Sequence, residues 1–284
     1  NIPCWVEIDN SMENILLWIP MYNCEKQIVR VLGQLRGEPE NYISEAIIVN
    51  NRSTDQGEQA VINYLQNHQY AFPIKVLRNN ENYGLGGSHK VAFQYAMDHG
   101  FEYVITLHGD DQGHIADLLP CIKQGMHRQY DCLLGSRFLK GSKLDGYSKF
   151  RTFGNIVYNM IFSIATWQKI YDLGAGLNMY CVRMLTDHHY IKFADNLTFN
   201  YFGVLALRYY KQTFCFFPLV WSEDDQVSNV KMMSQAIHTL ILVLEYLVCR
   251  KRFFTRDHRT KSIDKYAAQV IYTSRGQIDD HFSA

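Results

Sequence analysis

Between residues 15 and 135 short apolar runs alternate with stretches of helical periodicity, and this alternation restricts the fold more than any other feature of the chain. Ile15-Leu16-Leu17-Trp18-Ile19, Ala46-Ile47-Ile48-Val49, Ile74-Lys75-Val76-Leu77, Tyr103-Val104-Ile105-Thr106-Leu107 and Cys132-Leu133-Leu134-Gly135 are strand-length and bounded by turn-forming residues. Pro20 closes the first run. Asn23 is placed to cap a helix from about Glu25 to Leu35, with Ile28, Val29, Leu32 and Leu35 on one face. Further helices are expected after Asp55 to Gln66, through Val91, Ala92, Tyr95 and Ala96, and from Leu118 to Met126. Such alternation predicts an α/β fold with a mostly parallel, Rossmann-like doubly wound sheet flanked by helices. Right-handed crossovers put every strand-to-helix loop on one edge, where ligands bind. Tyr22, Asn50, Asn51, Asp55, Asp110 and Arg137 are therefore expected to converge.

The fourth run ends abruptly in His108-Gly109-Asp110-Asp111-Gln112-Gly113-His114. On an extended backbone His108, Asp110 and Gln112 would point to one side. An imidazole, a carboxylate and an amide oxygen so placed suit a divalent cation with positions left open for phosphate oxygens. A polar turn after a strand is the plainer alternative.

Composition narrows the function classes. Lys+Arg and Asp+Glu are both 28, so no global basic field marks a nucleic-acid binder. The seven cysteines are scattered and form no Cys-x-x-Cys, against a zinc ribbon or disulfide framework and in favour of reduced thiols in the cytosol. No signal peptide is visible, and the missing initial Met suggests that the true N-terminus lies upstream. No run of about 18 apolar residues is present to span a membrane. Gly84-Leu85-Gly86-Gly87 lacks the Gly-x-Gly-x-x-Gly dinucleotide spacing, and no Walker A lysine motif occurs.

Taken together, the motifs resemble those of family-2 glycosyltransferases with the nucleotide-diphospho-sugar transferase (GT-A) fold, in particular the dolichyl- or polyprenyl-phosphate sugar transferase branch. Pro20-Met21-Tyr22-Asn23 is similar to the family's Pro-x-Tyr-Asn, which borders the nucleobase. Asn50-Asn51-Arg52-Ser53-Thr54-Asp55 stands where the family has Asp-Asp-Gly-Ser-x-Asp. Asn82-Tyr83-Gly84 resembles the Asn-x-Gly before a helix near the diphosphate. His108 to Gln112 occupies the place of the Asp-Ala-Asp-x-Gln metal motif. Gly135-Ser136-Arg137-Phe138 matches Gly-Ser-Arg-Phe/Tyr, and Asp172-Leu173-Gly174-Ala175-Gly176 resembles Asp-x-x-Ser-Gly. The likeness covers about residues 14 to 232 and keeps the family's motif order.

The resemblance implies inverting transfer of a sugar from a nucleotide-diphospho-sugar, with Mn²⁺ or Mg²⁺ on the diphosphate. It implies that Pro20, Tyr22, Asn23, Asn50, Asn51, Ser53, Asp55, Asn82, Gly84, Gly109 and Asp110 bind the donor. His108, Asp110 and Gln112 are the implied metal group, and Asp110, Arg137 and Asp172 the catalytic one. Arg137, Lys149, Arg151 and Ser228 fall to the acceptor. Asn50 and Asn51 replace two carboxylates, keeping hydrogen bonding but no charge. His108 replaces an acid, which moves the metal preference toward Mn²⁺ or leaves His108 behind the ligands Asp110 and Gln112. Asp111 is either a ligand helper or solvated, the latter being favoured. The branch's Gly-x-Ser-Lys is only echoed by Gln226-Val227-Ser228-Asn229.

A polyprenyl phosphate is already an anion and needs cationic anchors rather than a base. Arg137, and Lys140, Lys143, Lys149 and Arg151 around a flexible Gly141–Gly146 loop, supply them. A saccharide hydroxyl, the alternative acceptor, would need Asp172 or Asp195 as base. A nucleotide-sugar-binding module without turnover is a further alternative. His89, His99 and His114 read as surface or capping residues, and His188-His189 as loop.

In the second half, 152–167 and 197–210 read as helices and 213–217 as a strand. Trp221 to Gln226 reads as an acidic loop over the donor. Residues 228–254 form a long amphipathic pattern followed by Arg250, Lys251, Arg252, Arg256, Arg259 and Lys261, suited to an anionic membrane surface or to packing on protein. The division expected is a catalytic domain over 1–227 and a C-terminal amphipathic helix with a polar, loosely ordered tail over 228–284. The expected location is cytoplasmic, with peripheral contact at the cytosolic membrane face.

Overall fold

A computed structural model of the chain describes residues 13–223 and 232–274. Strand β1 (Ile15–Met21) leads to helix α1 (Glu25–Gln34), β2 (Glu45–Asn50), α2 (Gly57–Asn67), β3 (Ile74–Asn79), α3 (Gly84–Asp98) and β4 (Tyr103–Leu107). Short helices α4 (Leu119–Lys123) and α5 (Met126–Gln129) precede β5 (Cys132–Ser136) and a short β6 (Lys143–Asp145). Then follow α6 (Lys149–Thr166), β7 (Leu177–Cys181), α7 (Phe199–Tyr209), β8 (Phe214–Pro218), β9 (Val220–Ser222), α8 (Met232–Val248), α9 (Arg250–Thr255) and β10 (Ala268–Ser274). The main sheet has the order β10-β3-β2-β1-β4-β7-β5-β8, with β6 and β9 paired separately. Neighbours β3-β2-β1-β4 are parallel, as are β5 and β8; β7 and β10 run antiparallel to theirs.

The continuous apolar runs follow from burial on both faces. Along β1, Ile15, Leu17, Ile19 and Met21 pack on α1, α2 and the α4 side, whereas Leu16 and Trp18 enter a second cluster with Val91, Phe162 and Phe199. The alternation of a pleated strand thus distributes one segment between two cores.

Several local expectations change. Pro20 does not end β1, because a parallel neighbour still pairs at Pro20 and Met21. Asn23 is not the α1 cap; its φ of 49° puts it in the left-handed region one residue early, and Cys24 stands at the cap. The 118–126 helix is broken at Gly125, whose φ of 66° opens a separate turn of helix. The long 228–254 pattern divides at Cys249, and 228–231 lie outside the described residues. The Gly141–Gly146 loop contains β6, and the expected loop at Trp221 begins as β9. The tail beyond Asp257 is not loosely ordered throughout: β10 forms an edge strand on β3. His89 is not a surface residue but is buried between Trp18 and Phe199.

Candidate active site

The chain builds β1, β2 and β3 outward in one direction and then crosses to β4 on the other side of β1. The carboxyl ends of β1 and β4 therefore flank a topological switch point, where an open sheet leaves a crevice. Tyr22 and Asn23 leave β1 there, and His108, Gly109 and Asp110 leave β4. Gly109 makes their close approach possible: its N–H donates to the Pro20 carbonyl at 3.2 Å, and a Cβ at this position would lie 2.7 Å from that oxygen. Gly176 acts likewise from the other side. His108 N–H donates to the Gly176 carbonyl at 2.9 Å, and the imidazole rests where a side chain on Gly176 would stand.

On the donor side the expected residues do come together, but largely by binding one another. Asn50 Oδ1 accepts from Ser53 N–H at 2.8 Å while its amide donates to Glu58 at 2.6 Å. Asn51 Oδ1 accepts from Asn79 and from Tyr83 N–H, both at 2.9 Å, and its amide donates to Asn82 at 2.8 Å. Asn82 also accepts from Gly84 N–H, setting the start of α3. Ser53 Oγ accepts from Asn23 N–H, and Asp55 accepts from the N–H groups of Glu25 and Gly57, at the starts of α1 and α2. Asp55 is thus a double helix cap. Tyr22 is 51% exposed at the mouth, leaving its ring available for a planar ligand.

Glu58 is a residue that the sequence motifs did not indicate. It touches Asn50, pairs with Arg78, and lines a polar cleft of about 350 Å³ with Ser53 and Asp55. It returns a carboxylate to the pocket from which Asn50 and Asn51 remove two. The Arg78 guanidinium, ahead of the Asn50 amide, holds its pKa below the ordinary value against the opposing effect of burial. Its helical position eight residues after Asn50 was the only signal in the sequence.

The metal motif does not form the extended run that alternation predicted. Asp111 has a φ of 60°, and its carboxylate turns away to Arg30 and Gln34 of α1, so it is neither ligand helper nor merely solvated. Gln112 faces Glu223 at 3.5 Å, and its carbonyl accepts from Ser222 N–H. Asp110 remains partly exposed at the switch point, with one long contact from Gln112 N–H at 3.4 Å. Removal from water pushes the His108 pKa down; the Asp110 charge opposes this and the Arg137 charge adds to it. At neutral pH the ring is uncharged and can offer a lone pair. Among the described residues no three His, Cys, Asp or Glu side chains are grouped to cage a cation. Asp110 offers one partly exposed carboxylate, the oxygen donor type that a hard divalent cation takes.

On the acceptor side, β7 runs antiparallel, so its beginning lies at the carboxyl edge of β4 and β5. This delivers Asp172 to Arg137, which follows β5. Nε and Nη2 of Arg137 donate to the two Asp172 oxygens at 2.8 and 2.7 Å, and Arg137 N–H donates at 2.9 Å. Both residues are buried. Burial opposes the Arg137 charge, but Asp172 outweighs it and raises the guanidinium pKa further. Arg137 is thus neutralised rather than presented as a cation, and Asp172 is not a free base. Arg151 donates to both Glu223 oxygens, at 2.8 and 2.6 Å, and lies over the Tyr147 ring. Lys149 is exposed in the first turn of α6, and Ser228 lies outside the described residues. Asp195, the other candidate base, is bound at 2.6 Å by the buried Lys90 and at 2.8 Å by Tyr266. Burial lowers the Lys90 pKa to about 8 despite Asp195. Lys90, Tyr147, Glu223 and Tyr266 come from separate elements, and no sequence spacing joins them.

The family model described as Glycosyl transferase family 2 matches residues 17–188. An uncharacterized protein of Methanocaldococcus jannaschii is 24% identical over 170 residues, 60% of this chain and 65% of that protein. Undecaprenyl-phosphate mannosyltransferase of Micrococcus luteus is 25% identical over 168 residues, 58% of this chain and 65% of that enzyme. The aligned part spans 65% of each curated relative's length. Among solved structures, glucosyl-3-phosphoglycerate synthase from Mycobacterium tuberculosis, in complex with Mn²⁺ and uridine-diphosphate-glucose, superposes with a TM-score of 0.59 at 12% identity. That match covers 97% of this chain and 95% of the other. The likeness is one of fold, the GT-A arrangement of a mostly parallel sheet flanked by helices.

Proposed function

Because this chain belongs to glycosyl transferase family 2, we propose that it transfers a sugar from a nucleotide-diphospho-sugar to a polyprenyl phosphate at the cytosolic face of a membrane. The observation that carries the acceptor class is the state of the two candidate bases: Asp172 is committed to Arg137 and Asp195 to Lys90. A saccharide hydroxyl would have to lose a proton to one of them. A phosphate oxygen is already nucleophilic and requires none. The undecaprenyl-phosphate mannosyltransferase relative supports the same class.

In this reading the donor's base lies against Tyr22 and the cleft of Asn50, Ser53 and Glu58, and its diphosphate lies between Asp110 and the start of α3. Asp110 would hold a divalent cation, Mn²⁺ by analogy with the fold relative's complex, with His108 two residues before it as a further candidate ligand. When bound, such an ion neutralises charge developing on the leaving nucleoside diphosphate. Arg137 and Asp172 fix the floor beneath the sugar, and the exposed Lys149 receives the acceptor phosphate. An acceptor oxygen attacks the anomeric carbon as the bond to the diphosphate breaks, inverting the centre.

The test is transfer of labelled sugar from a panel of UDP-, GDP-, dTDP- and CDP-sugars to undecaprenyl phosphate, followed by organic extraction, alongside thermal unfolding with each donor and Mn²⁺. Extractable product with one donor, abolished in Asp110→Ala, is expected. A donor at 100 times its dissociation constant should add about 2.7 kcal/mol of stability. Product only with a saccharide acceptor would overturn the lipid reading. Binding without any turnover would favour a binding module, which the internally satisfied Asn51 also suits.

A further inference from the structure

We propose that the paired outer faces of α6 and α8 form a docking surface for an anionic lipid bilayer. On α6, Phe150, Phe153, Ile156, Met160 and Ile164 recur three or four residues apart and are all at least half exposed, and Trp167, at the helix end, is 83% exposed. On α8, Ile237, Leu240, Ile241, Leu244 and Leu247 form a second stripe, ended by Val248 at 85% exposure. The opposite faces are in the core through Phe162 and Tyr246, so each helix has one satisfied side and one apolar side turned outward. The two helices contact each other. Apolar surface on this scale is far beyond the scattered exposed residues normal for a protein in water.

Charge selects the occupant. Helix α6 contains no acidic residue, and Glu245, the sole acid of α8, pairs with Arg256. Exposed cations stand at the ends of the stripes: Lys149 beside Phe150, Lys169 beyond Trp167, and Lys251 and Arg252 after Val248. An apolar face fringed by cations and poor in acids matches the acyl–headgroup boundary of an anionic leaflet. The surface begins at Lys149 and Arg151, so it deepens the lipid-phosphate reading above by setting the candidate acceptor entrance at the bilayer. The apolar and charge pattern stands whether or not transfer occurs.

The experiment is flotation of the full chain with vesicles of phosphatidylcholine alone and of phosphatidylcholine and phosphatidylglycerol in equal parts, at low and high salt. Flotation with the anionic vesicles, reduced by salt, is expected. The variant Phe153→Ser/Met160→Ser/Leu244→Ser should lose it to background while keeping its unfolding midpoint and its donor-induced thermal shift. Lys251→Glu/Arg252→Glu should lose the preference for anionic vesicles. No flotation by the wild-type chain overturns the proposal, as does a dimer in sedimentation equilibrium that the triple variant splits, which would make a second copy the occupant. Donor shifts measured on the same samples keep failure of this surface distinct from failure of the transferase reading.

Discussion

Arg137 and Asp172 form a buried, bidentate ion pair walled by Phe138, Tyr147 and Trp221. Such a pair resists the loss of one member more than the loss of both, since a lone charge would remain without water or partner. Arg137→Ala should therefore cost about 3–5 kcal/mol in urea unfolding. Arg137→Met combined with Asp172→Leu should recover most of that stability but not transfer. If the single variant unfolds like the wild type, Asp172 is not left as an uncompensated buried charge. His89 makes a different residue-scale prediction. It is buried between Trp18 and Phe199, with Nδ1 on the Leu85 carbonyl, and burial pushes its pKa down to about 3. The folded state thus keeps the ring neutral where the unfolded chain protonates it near pH 6.5. The stability is fully present above that value and is lost as the pH falls toward the folded pKa. His89→Phe keeps an aromatic ring in place and removes this proton difference, so the slope of unfolding free energy between about pH 4 and 6 should fall by about 1.4 kcal/mol per pH unit. An unchanged slope would mean that His89 titrates alike in both states.

The start of α3 shows at element scale how glycine positions differ in meaning. A Cβ on Gly86 would stand 2.4 Å from the Ala194 carbonyl and 2.8 Å from Phe199 Cβ, because the helix is pressed onto the 194–199 segment. Gly33, within α1, would meet only the Tyr64 hydroxyl at 3.8 Å. Gly86→Ala should accordingly destabilise by about 1–3 kcal/mol through overpacking and weaken donor binding. Gly33→Ala should stabilise by about 0.5–1 kcal/mol through helix propensity. Denaturant midpoints with donor titrations separate the two. The strands that carry these elements were legible because burial on both faces leaves unbroken apolar runs, and β4 has the bounds that its composition predicts. Strand β7 was not, since its Asn and Gly neighbours resemble loop. Of the candidate site, the motifs made legible the placing of Tyr22, Asn50, Asp110 and Arg137 at or just beyond strand ends. It was not legible in its partnerships: the roles of Glu58, Lys90 and Glu223 depend on contacts across long sequence separations.

At the scale of the whole molecule, the sheet is closed at one side by the last described segment. Strand β10 lies antiparallel on β3, and Ile74 N–H donates to Ser274 Oγ at 3.0 Å across the join. Immediately before it, Tyr266 reaches Asp195 and lies over Gly87 of α3, while Tyr83 and Tyr266 meet edge to face. The tail therefore covers an edge and braces the start of α3. Without β10 the backbone of Ile74, Val76 and Leu77 would be an exposed edge carrying apolar side chains, the usual template for association between chains. Termination after Ala267 keeps Tyr266 and removes the strand. The expected outcome is a lower unfolding midpoint together with concentration-dependent light scattering, whereas donor affinity, measured in dilute solution below the onset of scattering, changes little. A truncated chain that stays monomeric with the wild-type midpoint would mean that β3 is protected by its own lysine and arginine, Lys75 and Arg78, and that β10 contributes no closure. Loss of donor affinity without scattering would place the contribution of β10 in the bracing of α3 instead. The two outcomes divide edge protection from support of the start of α3, because the sheet edge and the segment leading into α3 meet at Asn79, the partner of Ala268.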